Sequence, residues 1–172
     1  MENQLTRAIL LPEHVARANR CLERLFSDCL ISCVALLDRS GQVVTAYGDG
    51  YERERVSLGA LIAGSFASAR EIARLLGEEQ FQTFFQQGQR HHVLTTAVGQ
   101  QWLLAVVFSN KAQLGLMRVL SAQAVEELIR VLRDVYRQPA PQSPVLGASF
   151  RSSANHALDV MFGESHGSLA ED

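Results

Sequence analysis

The stretch SLGALIAGSFASAREIARLLG, Ser57–Gly77, determines how the rest of this chain of 172 residues can be organised. Ser57 is a favourable N-cap residue and Gly77 is a favourable residue just past a helix end, so the stretch predicts one helix. One face of that helix is mostly large and apolar and is expected to meet a core: Leu58, Leu61, Ile62, Ser65, Ile72 and Leu76.

The opposite face of the same helix carries small residues that run on into charged ones. It consists of Ala60, Ala63, Gly64, Ala67, Arg70, Glu71 and Arg74. Residues with little or no side chain allow another backbone to approach closely. This face is therefore the predicted protein-binding surface, and the chain is expected to bind proteins rather than to catalyse a reaction.

The composition restricts the class of protein. With 47% hydrophobic and 20% charged residues, the chain has enough apolar material for a core. A net charge of −2 offers no strong field to attract nucleic acid. The N-terminal residues lack the pattern of a signal peptide, and the apolar runs are far shorter than the roughly 20 residues of a membrane helix. These features predict a cytoplasmic protein without a membrane span.

Hairpin-linked strands are predicted on both sides of the central helix. A first helix is predicted over residues 12–28, and strands over 30–37 and 42–46 are joined by the turn Asp38-Arg39-Ser40-Gly41. Strands linked by hairpins indicate an α+β domain with an antiparallel sheet. The remaining predicted elements are three strands and a long helix, at residues 81–87, 93–98, 102–108 and 114–137. The phenylalanines of the first of these strands would also fit a short helix.

The composition divides the chain into an N-terminal segment (residues 1–11), a domain (12–137) and a tail (138–172). The tail begins with a proline-containing linker and carries an excess of acidic residues. Within it, residues 154–162 are predicted to form a short helix, which is marginal alone and would need a docking surface. The alternative is a disordered tail with a chance apolar cluster. The predicted anchor residues of this segment are Leu158, Met161 and Phe162.

Motifs of the common phosphate, metal and redox sites are missing from the sequence; GxxxxGK[ST], HExxH and CxxC are all absent. His91 and His92 are neighbours on a predicted strand, so they point to opposite faces and are interpreted as surface residues. The spacing of Cys21, Cys29 and Cys33 fits no standard zinc site, and they are interpreted as buried thiols. We therefore expect no catalytic residues, no metal and no cofactor.

Several motifs, taken in order, resemble those of the roadblock/LC7 domain family, particularly its MglB-like members. The resemblance covers about residues 12–137. The motifs are the Ala63–Gly64 pair of the small-residue helix, the LLGE turn at Leu75–Glu78, the F-x3-F-x2-G pattern of Phe81, Phe85 and Gly88, the link from Phe108 to Gly115, and the hairpin Leu36–Val44.

The resemblance implies a profilin-like sandwich with the order α-β-β-α-β-β-β-α and a five-stranded antiparallel sheet. Family members form homodimers or heterodimers in which the strand at residues 81–87 pairs across a two-fold axis. In MglB-like members a GTPase docks on the two copies of the second helix, which implies contact with the small face described above. The implied dimer-interface residues are Phe81, Thr83, Phe85 and Gln87.

The function that the resemblance implies is that of a homodimeric regulator of a bacterial Ras-like small GTPase of the MglA type. Such a regulator, a GTPase-activating protein or co-regulator, binds the GTPase and reorients the GTPase's own catalytic residues, in cell polarity or motility. The chain itself would not be an enzyme. The alternative is a dimerisation or scaffold adaptor without effect on GTP hydrolysis, and a third reading is a small-molecule sensor.

Two departures from the family pattern bear on the partner. Ser65 stands where the family commonly has Asn, and the small face runs into Arg70, Glu71 and Arg74 where Gly or Ala often continues. The second departure predicts a GTPase with its own charge pattern.

Overall fold

A computed structural model describes residues 10–27, 30–48 and 53–137 of the chain. Within these ranges, the five strands form one antiparallel sheet in the order β2-β1-β5-β4-β3. The predicted α+β fold with a five-stranded antiparallel sheet is therefore confirmed. The elements follow the predicted order: α1 (Pro12–Ser27), β1 (Ile31–Asp38), β2 (Val43–Tyr47), α2 (Arg55–Leu75), β3 (Thr83–Gln87), β4 (His91–Val98), β5 (Trp102–Ser109) and α3 (Leu114–Arg137).

Some sequence predictions lie outside the described residues. These are the N-terminal segment up to residue 9, Cys29, and the whole tail from residue 138 with its predicted anchor residues. The domain boundary after residue 137 stays a prediction, since the description ends there.

Strand β5 lies at the centre of the sheet, between β1 and β4. Leu36 of β1 pairs with Leu104, and Leu94 of β4 pairs with Val106. Every residue of β5 except the last is buried, because helices cover both faces of the sheet. The continuous apolar run that predicted this strand is typical of such a position.

Helices α1 and α3 cover one face of the sheet, and α2 covers the other. Successive strand residues point to opposite faces, so each face has its own core cluster. The cluster under α1 and α3 includes the large side chains of Leu22, Leu36, Leu104, Phe108, Met117 and Leu128. The smaller cluster under α2 consists of Leu37, Ile62, Ala63, Phe66, Ala97, Leu103 and Ala105.

Helix α2 contacts the turn between β1 and β2 backbone to backbone. Gly41 in that turn has a φ of 91°, in the left-handed region that favours glycine. A Cβ on Gly41 would lie 2.6 Å from the Cα of Ala60, and a Cβ on Gly59 would lie 2.5 Å from the carbonyl oxygen of Gly41. Since neither glycine has room for a side chain, this pair sets how closely α2 approaches the hairpin.

The start of α2 differs from the prediction. The helix begins at Arg55, and Glu54 occupies the N-cap position without a side-chain hydrogen bond, so the prediction of Ser57 as the N-cap is wrong. Helical hydrogen bonding already starts at the carbonyl of Glu54, which accepts from the backbone N–H of Leu58 at 2.7 Å. A favourable capping residue therefore ended up inside the first turn.

The end of α2 agrees with the prediction for Gly77, which has a φ of 76°. Its backbone N–H donates to the carbonyl of Arg74 at 3.2 Å, and the N–H of Glu78 donates to the carbonyl of Ala73 at 2.9 Å. These two bonds form a Schellman motif, in which a left-handed residue satisfies the last helical carbonyls.

Strand β3 is shorter than predicted. It covers Thr83–Gln87, and Phe81 lies before it. The alternative of a short helix is wrong, because each of the five residues pairs with β4, from Thr83 opposite Thr96 to Gln87 opposite His92.

Alanine substitutions at two glycines of α2 should have opposite effects on stability. Alanine is favoured over glycine inside a helix by about 0.5–1 kcal/mol. Gly64→Ala should raise the free energy of unfolding by about that amount, since a Cβ there meets nothing within 4 Å. Gly59→Ala should instead lower the free energy of unfolding by about 1–3 kcal/mol, because the new Cβ overlaps the backbone of Gly41.

Urea unfolding followed by circular dichroism measures both changes, with each glycine serving as the control for the other. Equal stabilisation by the two substitutions would contradict the backbone contact between α2 and the hairpin turn.

Candidate functional site

The rotation of α2 about its axis decides which residues are available for binding. The buried positions are Gly59, Ile62, Ala63, Phe66, Ala69 and Ala73. The predicted core face is therefore largely wrong, since Leu61, Ile72 and Leu76 are 69%, 52% and 68% exposed. Ile62 alone of that predicted face is fully buried, while Leu58 and Ser65 are half-buried.

The physical reason for this rotation lies in the sheet. Ala97 and Ala105 are small residues on the face beneath α2, and Gly41 and Gly59 remove the side chains at its edge. Among the α2 side chains that pack against the sheet, the ring of Phe66 is the largest, and it is fully buried. Leu61, Ile72 and Leu76 project into solvent instead.

The exposed residues Leu61, Ile72 and Leu76 form one side of the helix, which we call the apolar flank. Eleven residues separate Leu61 from Ile72, about three helical turns, so the two project in nearly the same direction. Large apolar side chains exposed on one side of a helix are typical of a protein interface. Leu61 and Ser65 line an open cleft with Gln86 of β3 and His91 of β4. Leu61 therefore lies beside the edge of the sheet at which β3 is the last strand.

Strand β3 is an edge strand. Among the described residues it pairs with β4 alone, which leaves the hydrogen-bonding groups of its other edge without a strand partner. An exposed edge of this kind is a template for pairing with another chain. Leu61 of the apolar flank and Gln86 and Gln87 of β3 line the same cleft, so the two surfaces are neighbours there.

The predicted dimer-interface residues occupy different environments. Thr83 and Gln87 are exposed on the edge strand, and Phe81 is half-buried before it. Phe85 instead packs into the core under α1 and α3, with its ring stacked 6.4 Å from the ring of Phe108. Thr83 and Gln87 are therefore available to a partner, whereas Phe85 mainly anchors the strand to its own protomer.

The other side of α2 carries the exposed small residues Ala60, Gly64 and Ala67, which we call the small flank. The space beside Gly64 is open, since a Cβ there would meet no atom within 4 Å. Ala63 is a correction to the predicted surface. It is only 4% exposed and packs in the cluster with Phe66, so it offers almost no surface for binding.

The charged end of the predicted surface is exposed as expected. Arg70, Glu71 and Arg74 all lie at the surface of α2. Arg74 Nε donates to Glu71 Oε2 at 2.9 Å across one helical turn, so these two charges largely neutralise each other. Arg70 makes no such pair within the described part of the chain.

Arg39 is a residue of this surface that sequence reasoning missed. It lies in the turn after β1, and its guanidinium carbon is 5.0 Å from the centre of the Phe66 ring on α2. Burial and the positive charge of Arg70 both lower the pKa of Arg39. The turn motif indicated a turn, but no signal in the sequence showed that the turn packs against α2.

The two neighbouring histidines confirm one prediction and correct another. They point to opposite faces of β4, with His91 exposed and His92 buried. The interpretation of His92 as a surface residue is wrong, because its face of the strand meets the core. Its ring lies between Phe85 and Phe108, 5.5 Å from each, and its Nδ1 accepts a hydrogen bond from the backbone N–H of Gly88 at 3.3 Å.

The described cysteines are poor nucleophiles. Cys21 is buried, as predicted, while Cys33 is half-buried. Burial first, and then the negative charge of Glu127, raises the pKa of the Cys21 thiol to about 12. Burial also raises the pKa of Cys33. Both thiols are therefore neutral near pH 7, unlike the thiolates of catalytic cysteines.

The described ranges hold neither a cluster of metal-binding side chains nor a membrane-spanning helix. Residues 10–27, 30–48 and 53–137 contain no group of three or more His, Cys, Asp or Glu side chains placed to hold a metal ion. None of the helices in these ranges is long and apolar enough to cross a membrane.

The letters GESHG, Gly163–Gly167, match the GxSxG pattern of serine hydrolases and lie in the tail, outside the described residues. That pattern carries a nucleophile where it forms a sharp turn from a strand of the central sheet into a helix. The strands of the described sheet all pair antiparallel, and the GESHG segment does not connect any of them to a helix. We therefore assign no catalytic role to Ser165.

Alkylation should leave Cys21 unmodified in the folded protein at pH 8. With a pKa of about 12, only about one Cys21 thiol in ten thousand would be ionised at that pH. Iodoacetamide treatment followed by peptide mass spectrometry measures the modification, and the same reaction in urea provides the control. Modification of Cys21 at the same rate in both conditions would contradict its buried position.

Comparison with known proteins gives a family match over the part of the chain that contains this surface. The family model of the Roadblock/LC7 domain matches residues 18–108, which is more than half of the chain. Among curated proteins, none is significantly similar in sequence.

Several solved structures align with this chain over nearly their whole length. MglB of Myxococcus xanthus has a TM-score of 0.70 and 28% identity, over 78% of this chain and 99% of that one. The gliding protein MglB of Thermus thermophilus has a TM-score of 0.69 at 28% identity, with the same coverage of both chains. A structure of MglB with a tetrameric arrangement has the same identity, coverage and a TM-score of 0.69.

Proposed function

The chain belongs to the Roadblock/LC7 family, and on that premise we propose that it is a homodimeric regulator of a bacterial Ras-like small GTPase of the MglA type. The observation that carries this proposal is the exposed small flank of α2, formed by Ala60, Gly64 and Ala67. The similarity of the chain to the MglB structures at 28% identity supports the type of partner.

Two neighbouring surfaces of the protomer support the proposed homodimer: the unpaired edge of β3 and the exposed apolar flank. The free edge of β3 lacks a neighbouring strand in the described protomer, and the apolar flank beside it exposes Leu61, Ile72 and Leu76. A two-fold axis at this edge would let one copy of each surface cover the other, as in an isologous interface. The dimer would thereby bury the apolar side chains and complete the strand pairing.

The position of the GTPase follows from what such a dimer leaves open. With the apolar flanks turned towards each other, the small flanks of the two α2 helices stay exposed. A surface of alanine and glycine admits a backbone or a flat protein surface at short distance. The GTPase would therefore rest on the helix pair.

The proposed mode of action is to bind the GTPase and reorient its own catalytic residues. Hydrolysis of GTP depends on the positioning of water and charged groups around the phosphates, so a regulator can act by placing those groups correctly. The proposed role includes stimulation of hydrolysis in the control of cell polarity or motility. An adaptor of roadblock type would bind the same GTPase without changing its rate, which a hydrolysis assay distinguishes.

Ala67→Arg should abolish binding of the GTPase while leaving the fold intact. Ala67 is exposed, so the protomer can accommodate the larger side chain, whereas a closely apposed partner cannot. We expect the Kd for the GTPase loaded with a non-hydrolysable GTP analogue to rise at least about a hundredfold, which is about 2.7 kcal/mol. Isothermal titration calorimetry gives the Kd, and circular dichroism verifies folding.

Ala16→Arg is the matched control for this experiment. Ala16 is an exposed helical alanine on α1, which covers the opposite face of the sheet. The control variant should bind the GTPase like the wild type. Equal affinities of wild type and Ala67→Arg would contradict the assigned docking surface.

Leu61→Glu should convert the proposed dimer into a monomer. The side chain is 69% exposed in the protomer, so the substitution costs little folding energy, but it would bury a charge in the dimer. Sedimentation velocity should then report the monomer mass of 19.0 kDa. Leu116→Glu, an exposed leucine of α3 on the other side of the sheet, is the control and should stay dimeric. A dimeric Leu61→Glu variant would place the interface elsewhere.

A further inference from the structure

Two arginines from different elements lie near Phe66, at the border of the small flank. Arg39 comes from the β1–β2 turn, and Arg70 lies on α2 one turn after Phe66. The Arg39 guanidinium carbon lies over the Phe66 ring at 5.0 Å, which brings it towards Arg70. Arg70 also follows Ala67 by three residues, so the arginine pair and the small flank form one continuous surface.

The charge of this pair is not compensated within the described residues. Arg39 Nη2 donates to the carbonyl of Gly99 at 3.5 Å, at the outer limit for a hydrogen bond, and its Nε is buried without a partner there. The adjacent carboxylate of Asp38 accepts hydrogen bonds from within the turn itself. Its Oδ1 accepts from the backbone N–H groups of Ser40 and Gln42, each at 2.9 Å, and from the Ser40 hydroxyl at 2.6 Å.

The other charges on this side of α2 do not provide the missing partner either. Arg74 and Glu71 pair with each other at 2.9 Å. The positive charge of Arg70 lowers the pKa of Arg39, yet an arginine remains protonated at neutral pH. Two like charges beside each other, one with a buried unsatisfied donor, reduce stability, and such conflicts are typical of functional sites.

We propose that Arg39 and Arg70 together bind the carboxylate of an acidic side chain on the GTPase that docks on the small flank. This inference rests on the proposed function and names the chemistry by which the surface selects its partner. A guanidinium offers two parallel N–H donors that match the two oxygens of a carboxylate. The bound carboxylate neutralises the repulsion between the two cations.

The same arrangement discriminates between partners. A GTPase with a lysine or arginine at the facing position would meet two uncompensated positive charges, which disfavours the complex. Arg39 and Arg70 thereby act as specificity-determining residues, in addition to the shape complementarity that the small flank provides.

Removal of either arginine charge tests the proposal. The variants are Arg39→Gln, Arg70→Gln and the double variant, and the probe is the purified MglA-type GTPase of the same organism loaded with a non-hydrolysable GTP analogue. Each single substitution should raise the Kd about tenfold, and the double variant should raise it by less than the product, because both groups bind one carboxylate. The salt dependence of binding should weaken in all three.

Two controls separate binding from folding. Arg20→Gln replaces an exposed arginine on α1 and should leave the Kd unchanged. Arg70→Gln changes an exposed side chain, so it stays informative even if the loss of Arg39 disturbs Phe66. Charge reversal then identifies the partner group: Arg39→Glu should lose binding, and a Lys substitution at one acidic position of the GTPase should restore it.

The outcomes distinguish this inference from the proposed function. No binding by the wild type overturns the function and the inference together. Wild-type binding that is lost in Ala67→Arg but unchanged within twofold in Arg39→Gln and Arg70→Gln overturns the inference alone. An unchanged Kd with a hydrolysis rate reduced by a hundredfold or more would assign an arginine to the phosphates instead, and would also overturn it.

Discussion

The backbone contact between Gly59 of α2 and Gly41 of the β1–β2 turn is the constraint on which the other features depend. A Cβ at Gly59 would lie 2.5 Å from the Gly41 carbonyl oxygen, so the two backbones touch without side chains between them. This contact fixes α2 against the hairpin, and Phe66 becomes its main core side chain. The apolar and small residues left at the surface follow from the rotation of α2 about its axis.

Features that depend on neighbouring residues were predictable from the sequence. The order of the elements follows from apolar periodicity and turn residues, and the end of α2 follows from Gly77, whose left-handed conformation completes a local hydrogen-bond motif. The central strand β5 was identifiable because its whole length is apolar. Each of these signals acts within a few residues along the chain, which is the range that sequence patterns describe well.

Features that depend on distant residues were not predictable in the same way. The direction of α2 is set by Ala97 and Ala105 in strands that follow it, so the helix pattern alone placed Leu61 in the core and Ala63 on the surface, both incorrectly. The position of Arg39 over Phe66 depends on how a turn packs against a helix. Helix α2 carries apolar residues on more than one side, and periodicity alone cannot tell which side packs against the sheet.

The central claim is that the small flank of α2 contacts a Ras-like GTPase. Site-specific photo-crosslinking tests it most directly, with the photoreactive group at Glu71, exposed beside the small flank, and at Glu13, exposed on α1, for comparison. The account predicts a covalent product with the GTPase loaded with a GTP analogue from position 71 and none from position 13. A product from position 13 alone, or none from position 71 in a mixture that forms the complex, would contradict it.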